Sequence, residues 1–179
     1  MSKISQITVV CTGNICRSPM GDVMLNKALK EQGIPDVVVN SCGLGGWHVG
    51  DSADPRAVRE LQSCGYDGTR HVAAQIGDDH LEADAFLAMD RGHVRGLSRL
   101  GVDPAKIYLF RAFDPAVFDA AADSAGFHSL RAPEVADPYY DDAAAFTTVA
   151  RQIEAAVPGI ITNLVLSGNE DDTRRGTLP

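Results

Sequence analysis

The segment Cys-Thr-Gly-Asn-Ile-Cys-Arg-Ser-Pro, which begins at Cys11, combines a nucleophile with groups that bind anions. A cysteine thiolate attacks electrophilic centres, and the planar guanidinium of Arg17 offers donors in the geometry of phosphoryl oxygens. Successive main-chain N–H groups around a glycine-containing turn, followed by the positive end of a helix dipole, also favour anions. We therefore expect a phosphate site that keeps Cys11 ionised and that is built from Arg17 and the loop residues Thr12, Gly13, Asn14, Ile15, Cys16 and Ser18.

A thiolate that faces a phosphate monoester can displace the ester oxygen at phosphorus. The fixed N–H groups and Arg17 would stabilise charge on the equatorial oxygens, and water would hydrolyse the phosphocysteine formed on Cys11. Ser18 either donates its hydroxyl proton to the departing sulfur or caps the following helix. A nucleotide-binding loop is disfavoured because Gly13 has no partner Gly-Lys pair, and a zinc site because Cys11 and Cys16 lack the usual ligand spacing.

The predicted elements place this loop at the end of a strand. Residues 7–10 are a short apolar run rich in β-branched side chains, which is typical of a strand buried on both faces. Ser18 and Pro19 predict a helix N-cap and a first helical position, and apolar residues recur at helical spacing until Gly33. The order of strand, tight loop and helix is the arrangement in which open α/β sheets bind phosphate.

The same alternation continues along the chain. Further strands are predicted at residues 37–40, 85–89 and 107–110. Helices are predicted from Asp54 to Gly65, over residues 94–100 with Asp90 as the cap, and from residue 146 to a kink or an end at Pro158. The pattern predicts one α/β domain with a mostly parallel sheet over residues 1–167, with weak periodicity at 112–135 and a frayed polar tail at 168–179.

Composition limits the classes of partner. The chain has 179 residues, with 16 Lys and Arg against 24 Asp and Glu, and its formal net charge of −8 repels nucleic acid. It lacks an apolar run of about 18 residues and an N-terminal export signal, which favours a cytoplasmic location without a membrane partner and leaves export by a signal-independent route open. The four cysteines are then expected to be reduced thiols.

Five motifs are spread over residues 5–165. They are Val-Cys-Thr-Gly-Asn-Ile-Cys-Arg-Ser-Pro from Val10, Ser-Cys-Gly-Leu-Gly-Gly-Trp-His-Val-Gly from Ser41, Asp-Pro-Arg-Ala from Asp54, Ala-Met-Asp-Arg from Ala88 and Asp-Pro-Tyr-Tyr from Asp137. Together they resemble the low-molecular-weight protein-tyrosine phosphatases. The resemblance implies a four-stranded parallel sheet with helices on both faces, a flavodoxin-like three-layer sandwich. It also implies hydrolysis of phosphotyrosine on proteins without a metal or cofactor.

The resemblance assigns three catalytic roles. Cys11 is the nucleophile, Arg17 binds phosphate, and Asp137 is the general acid and then the base that activates water. The chain contains Asp-Pro pairs at residues 54, 103, 114 and 137, and the last is followed by two tyrosines. A phenolate has a pKa of about 10 and leaves poorly unless it is protonated, so an acid on a loop over the pocket should contribute roughly 100- to 10,000-fold.

The resemblance also suggests supporting residues. Asn14, Ser41 and His71 are expected to join a hydrogen-bond network that holds the loop in its strained shape. The walls of a deep pocket, which admits an aromatic phosphoester and excludes the shorter phosphoserine, are expected at Trp47, Tyr139 and Tyr140. Cys16 lies close enough in the loop to pair with Cys11, and the family likeness suggests a reversible disulfide that protects the nucleophile.

Three features depart from the family pattern. Val72–Gln75 lacks a basic residue before the glutamine, and the segment 111–135 is longer than expected. Asp141 and Asp142 follow the paired tyrosines where a glycine is common. These departures concern the rim of the pocket and the acid loop rather than the predicted phosphate loop.

Two other functions are compatible with the same loop. An arsenate reductase would use Cys11 with a thiol relay through Cys42 and Cys64. A catalytically inactive phosphotyrosine-binding module is disfavoured because the nucleophile, Arg17 and Asp137 are all retained. The favoured interpretation is a monomeric phosphatase whose substrate is a phosphotyrosine-containing protein, with a tyrosine kinase as one candidate.

Overall fold

Four parallel strands form the centre of the fold. In the computed structural model, which describes residues 3–167, β1 (Gln6–Cys11) lies between β2 (Val38–Gly43) and β3 (Ala85–Ala88). The fourth strand, β4 (Ile107–Leu109), pairs with β3, and the three pairings are parallel. The predicted parallel sheet is confirmed, whereas the predicted tail at 168–179 lies outside the described residues.

Helices cover both faces of this sheet. They are α1 (Arg17–Glu31), α2 (Pro55–Ser63), α3 (Asp78–Leu81), α4 (Arg91–Arg99) and α5 (Ala143–Ile160). The larger apolar core lies between the sheet, α1 and α5, and a second core around Val10, Phe86 and Leu97 lies under α4. Because successive side chains of a strand point to opposite faces, Val9 and Val10 contribute to different cores. The three-layer architecture implied by the family resemblance is confirmed.

The starts of the helices follow the predicted caps at two of three positions. Asp54 and Asp90 cap α2 and α4, accepting hydrogen bonds from the main-chain nitrogens of Arg56 and His93. The predicted N-cap at Ser18 is wrong, because α1 begins at Arg17 and Cys16 occupies the cap position. The hydroxyl of Ser18 instead lies 2.9 Å from the sulfur of Cys11, so this residue serves the loop rather than the helix end.

The end of the chain's last long helix also differs from the prediction. We expected a kink or an end at Pro158, but α5 continues to Ile160 and passes into a π-helical segment, Ile161–Leu166. Proline in a helix costs about 3 kcal/mol, and the buried side chains of Val157, Ile160 and Ile161 offset that cost by packing in the core. The helix α3 was not predicted.

The segment with weak periodicity is held to the sheet by aromatic rings. It contains short 3₁₀ helices at Phe110–Phe113 and Gly126–His128. The ring of Phe113 stacks on that of Phe127 with 4.6 Å between centroids, and Tyr108 of β4 stacks on His128 at 4.3 Å. Within residues 3–167, none of the helices combines the length and the apolarity that a bilayer crossing requires.

Candidate active site

The carboxyl end of β1 opens into a loop, residues 11–17, that leads directly into α1. The carbonyl oxygens of Cys11 and Thr12 accept hydrogen bonds from the main-chain nitrogens of Leu44 and Gly45, at 3.0 and 2.9 Å. This ties the loop to the segment that follows β2. Asn14 has a φ of 58°, in the left-handed region, so the chain reverses its curvature at this residue.

Two polar groups lie close to the sulfur of Cys11. The hydroxyl of Ser18 is 2.9 Å from Sγ, and the main-chain N–H of Asn14 donates to Sγ at 3.2 Å. Two further thiols lie deeper in the fold, and burial raises the pKa of Cys16 and of Cys42 to about 12.

The side chain of Asn14 closes the loop from behind. Its amide nitrogen donates to the hydroxyls of Ser18 and Ser41, at 2.8 and 3.0 Å, and its amide oxygen accepts from the main-chain nitrogen of Ala74 at 2.8 Å. Because Asn14 is fully buried, each of these bonds avoids the cost of an unpaired polar group. They hold the residue in its left-handed conformation.

His71 and Asp22 extend the same network. Nε2 of His71 donates to the main-chain oxygen of Asn14 at 2.6 Å, and burial keeps the pKa of this imidazole below its usual range. The hydroxyl of Ser41 donates to Asp22 at 2.8 Å, and burial raises the pKa of that carboxyl to about 6. The structure thus brings together the three residues expected to support the loop, and it adds Asp22, which sequence reasoning missed.

Arg17 is held by two carboxylates and a carbonyl. Nη1 donates to Asp90 at 2.9 Å and to the main-chain oxygen of Val135 at 3.1 Å, and Nη2 lies 3.0 Å from Asp137. The side chain of Arg17 is only 3% exposed. Burial disfavours the charged form of Asp90, but its neighbours His93 and Arg17 outweigh burial and keep its pKa below the usual range.

Asp90 therefore has two roles, of which only the helix cap was predicted. The second role, orienting Arg17, joins residues that are far apart in the chain, and no local sequence signal could have revealed it. The family-like motif Ala-Met-Asp-Arg marked the position without indicating its contact.

His93 connects this cap to the phosphate loop. Nδ1 of His93 lies 3.2 Å from the main-chain nitrogen of Asp90 and 3.1 Å from its carboxylate. Nε2 lies 2.9 Å from the hydroxyl of Thr12. Burial lowers the pKa of His93 to about 4, which agrees with a neutral ring. Sequence reasoning missed this residue as well.

The loop forms the floor of a cavity of about 380 Å³. Its lining includes the proposed catalytic set, part of the loop and an aromatic mouth: Cys11, Thr12, Gly13, Ile15, Cys16, Arg17, Trp47, His48, Asp137, Tyr139 and Tyr140. The mouth is open, since Trp47 is 77% and Tyr140 is 94% exposed. The ring of His48, which was not predicted, faces that of Tyr139 with 6.3 Å between centroids.

The structure separates Asp137 from the other Asp-Pro pairs. Asp54 and Asp103 cap helices, and Asp114 is buried and accepts from the main-chain nitrogen of Ala116 at 3.0 Å. Asp137 alone among the four lines the cavity. Among the described residues, no three His, Cys, Asp or Glu side chains are placed to hold a metal ion together.

Comparisons with known proteins identify the family of the chain. A sequence model described as low molecular weight phosphotyrosine protein phosphatase matches residues 6–169. The low molecular weight protein-tyrosine phosphatase A of Mycobacterium tuberculosis is 46% identical over 161 residues, covering 89% of this chain and 91% of that protein. A low molecular weight protein-tyrosine-phosphatase of Streptomyces coelicolor is 37% identical, covering 87% of this chain and 91% of that protein.

Solved structures share the fold. The Erwinia amylovora tyrosine phosphatase amsI superposes with a TM-score of 0.70 at 31% identity, covering 89% of this chain and 92% of the other. Vibrio vulnificus Wzb, solved in complex with benzylphosphonate, has a TM-score of 0.70 at 27% identity, covering 90% and 99%. On these matches, the chain belongs to the low molecular weight phosphotyrosine protein phosphatase family and is a phosphatase of phosphoproteins.

Proposed function

We propose that the protein hydrolyses phosphotyrosine on proteins through a phosphocysteine intermediate on Cys11, with Arg17 binding phosphate and Asp137 acting as general acid and then as base. The observation that carries the proposal is the position of these three side chains around one cavity. The sulfur of Cys11 accepts from the Asn14 main chain at its floor, and Asp137 lies on the loop at its edge.

In the first step the sulfur of Cys11 attacks phosphorus. An S–P bond forms, the bond from phosphorus to the phenolic oxygen breaks, and the protonated carboxyl of Asp137 gives its proton to that oxygen. Tyrosine leaves as a neutral phenol. The guanidinium of Arg17 stabilises the equatorial oxygens, and Nη2, which is 3.0 Å from Asp137, exchanges this carboxyl for a phosphoryl oxygen.

In the second step water hydrolyses the phosphocysteine. The carboxylate of Asp137 accepts a proton from water, whose oxygen attacks phosphorus while the S–P bond breaks. The hydroxyl of Ser18, 2.9 Å from the sulfur, donates to the departing thiolate. Asn14 donates to the Ser18 oxygen at 2.8 Å, and the acceptors within reach of the Ser18 proton are the sulfur of Cys11 and the main-chain oxygen of Cys42, 3.5 Å away. Inorganic phosphate is the second product.

The mouth of the cavity favours an aryl ester. Trp47, Tyr139 and Tyr140 surround the entrance, and the side chain of Ile15 adds an apolar contact closer to the floor. An aromatic ring buries apolar area against such walls, whereas phosphoserine is too short to occupy them while its phosphate reaches Cys11.

A thiol relay of the arsenate-reductase type finds little support. Cys42 is fully buried, and burial raises its pKa to about 12, which keeps it a poor nucleophile. Asp54, the N-cap of α2, donates to the loop residue Ile15, whereas Cys64 follows the other end of that helix. The nine residues of α2 span about 14 Å. An arsenate reductase also has no use for a general acid, so that function leaves the loop of Asp137 unexplained.

The direct test compares Cys11→Ser and Asp137→Ala with the parent on phenyl phosphate and on 4-nitrophenyl phosphate, whose leaving group is more acidic. Cys11→Ser should have no turnover. Asp137→Ala should lower kcat/KM for phenyl phosphate by roughly 100- to 10,000-fold, with a smaller loss for the nitrophenyl ester, because an acidic phenol needs no proton to leave.

Asp103→Ala is the matched control, since Asp103 also precedes proline but caps a 3₁₀ helix away from the cavity lining. It should keep the parent kinetics. Equal losses on both esters in Asp137→Ala would remove Asp137 from the acid role, and turnover by Cys11→Ser would remove the phosphocysteine.

A further inference from the structure

Arg56, in the first turn of α2, makes contacts that the proposed chemistry does not use. Its Nε and Nη2 lie 3.0 and 2.8 Å from the two carboxylate oxygens of Asp54. Nη2 also donates to the main-chain oxygen of Tyr139, and Nη1 to that of Asp141, each at 3.0 Å. One guanidinium therefore joins α2 to the loop that carries Asp137.

Aromatic rings also hold the guanidinium plane of Arg56. Its central carbon lies 4.6 Å from the centroid of the Phe146 ring, on α5, and 6.0 Å from that of Tyr139. Stacking of this kind suits a planar, delocalised cation and not the compact ammonium of lysine. Arg56 is thus held in one orientation by a carboxylate, by two carbonyls and by aromatic rings.

The other end of the connection is the phosphate loop. The main-chain N–H of Asp54 donates to the carbonyl oxygen of Ile15 at 2.8 Å. The carboxylate of Asp54 accepts from the main-chain nitrogen of Arg56 at 2.8 Å, and the Arg56 guanidinium keeps the pKa of Asp54 below its usual range. A continuous path of short hydrogen bonds therefore runs from the loop of Cys11 to the loop of Asp137.

The acid loop needs such a support. Asp137 is 49% exposed, and residues 133–138 have no regular secondary structure. A general acid must lie within hydrogen-bond reach of the leaving oxygen, and a displacement of about 1 Å costs on the order of 100-fold in rate. The carbonyls of Tyr139 and Asp141 are two and four residues beyond the acid, so a group that fixes them fixes Asp137.

We propose that Arg56 is a positioning residue for the general acid: it sets the distance between the Asp137 loop and the phosphate loop, and it acts on the reaction only through Asp137. The inference rests on the proposed function, because it assigns Arg56 no role if Asp137 is not the acid. It predicts a defect confined to the two proton transfers assigned to Asp137, of which protonation of the leaving group is the first.

The test measures kcat/KM, which covers the steps up to phosphocysteine formation, for Arg56→Met and Arg56→Lys on phenyl and 4-nitrophenyl phosphate. Arg56→Met retains an apolar stem over Phe146 and should lose about 10- to 100-fold on the phenyl ester, and several-fold less on the nitrophenyl ester. Arg56→Lys keeps the charge but not the two-carbonyl geometry, and it should be only partly active. Arg59→Met, an exposed arginine on the same helix, is the control and should match the parent.

The double variant Arg56→Met, Asp137→Ala separates positioning from general damage. If Arg56 acts through Asp137, the second substitution adds no further loss beyond that of Asp137→Ala alone. An equal loss from Arg56→Met in both backgrounds, or on both esters, would overturn the inference. If Asp137→Ala itself loses equally on both esters, the acid role fails and the result identifies the proposed function as the error. Urea unfolding of Arg56→Met and Arg56→Lys identifies any variant whose loss arises from a folding defect.

Discussion

The sulfur of Cys11 is governed by neighbours that are themselves constrained. Asn14 supplies its main-chain N–H to the sulfur and its side chain to Ser18, which in turn faces the sulfur. These bonds require Asn14 to adopt a φ of 58°, which an L-residue tolerates at a cost of about 1–2 kcal/mol. The stability of the folded protein thus maintains the conformation that keeps the Asn14 main-chain N–H on the sulfur of Cys11.

Substitution of Asn14 by alanine and by glycine should separate the strain from the hydrogen bonds. Both variants lose the bonds to Ser18, Ser41 and Ala74, so both should lower kcat by about 10-fold or more. Alanine keeps the left-handed strain without compensation, whereas glycine adopts this φ freely. The free energy of unfolding in urea should therefore fall by about 1 kcal/mol more for Asn14→Ala than for Asn14→Gly.

Equal stability of the two variants would mean that the loop relaxes to an ordinary φ once the side chain is gone. Parent-like kcat in either variant would show that the side-chain network does not serve the nucleophile.

Local spacing was sufficient to predict the loop residues that line the floor of the cavity. Cys11, Arg17 and the residues between them are contiguous in sequence, and the residue types themselves indicate a nucleophile and an anion-binding group. Asp90, His93 and Arg56 could not be predicted in the same way, because their partners are distant in the chain. An aspartate that caps a helix and an arginine within a helix, such as Asp90 and Arg56, are each explained by their local role. That local role gives no indication of their contacts with distant residues.

The elements around the site are packed so closely that one of them, β2, limits where the loop after β1 can lie. Gly43, the last residue of β2, lies directly behind it: a Cβ at this position would be 2.8 Å from the main-chain oxygen of Thr12 and 3.0 Å from the main-chain nitrogen of Asn14. These are backbone atoms, which cannot rotate aside. The phosphate loop can occupy its place only because this strand ends without a side chain.

In Gly43→Ala the added methyl group would meet main-chain atoms of the loop, so the loop itself should be displaced. We expect kcat/KM on phenyl phosphate to fall by about 10- to 100-fold, and the free energy of unfolding to fall by about 1–3 kcal/mol through overpacking. Gly77→Ala is the control, since its nearest neighbour is 4.0 Å from the added Cβ and its φ of −143° suits any residue.

If Gly43→Ala keeps both activity and stability, the approach of β2 to the loop is looser than the structure places it. A comparable loss in Gly77→Ala would indicate a nonspecific effect of alanine in these loops.

Periodicity and capping residues predicted the order of the elements but not all of their ends. β1 and α2 follow the expected pattern, whereas Ser18 resembles a cap because serine satisfies a helix end or a neighbouring sulfur equally well. Tertiary packing decides at Pro158, where local propensity favours an interruption and the buried face of α5 continues. The sequence of four residues in α3 is too short to produce a periodic signal.

Charge and burial act in different places in the folded chain. The net charge of −8 opposes anions in general, whereas the cavity is lined by the buried cation Arg17, which is paired with Asp90 and Asp137. His93, which lies between Asp90 and Thr12, is buried, and burial lowers its pKa to about 4.

The stability of the whole protein should therefore fall in mild acid. Above the unfolded pKa of about 6.5, His93 is neutral in both states and contributes nothing. As the pH falls from about 6.5 towards 4, the unfolded chain binds a proton that the folded chain does not, so the free energy of unfolding decreases by on the order of 3 kcal/mol in all.

Urea unfolding at pH 7.5 and pH 5.0 measures this effect when the parent is compared with His93→Gln. The other titrating groups are common to both proteins, so the parent should lose about 2 kcal/mol more than the variant between these two pH values. The same decrease in both proteins would mean that His93 is protonated in the folded state.

The separation of the site into a floor and a mouth has a consequence for how such proteins diversify. The floor is stabilised by Asn14 with Ser18, Ser41 and the Ala74 main chain, while the mouth is formed by the exposed rings of Trp47 and Tyr140. Substitution of these exposed rings leaves the hydrogen bonds of the floor in place. The shape of the entrance can therefore change while the loop around Cys11 keeps its geometry.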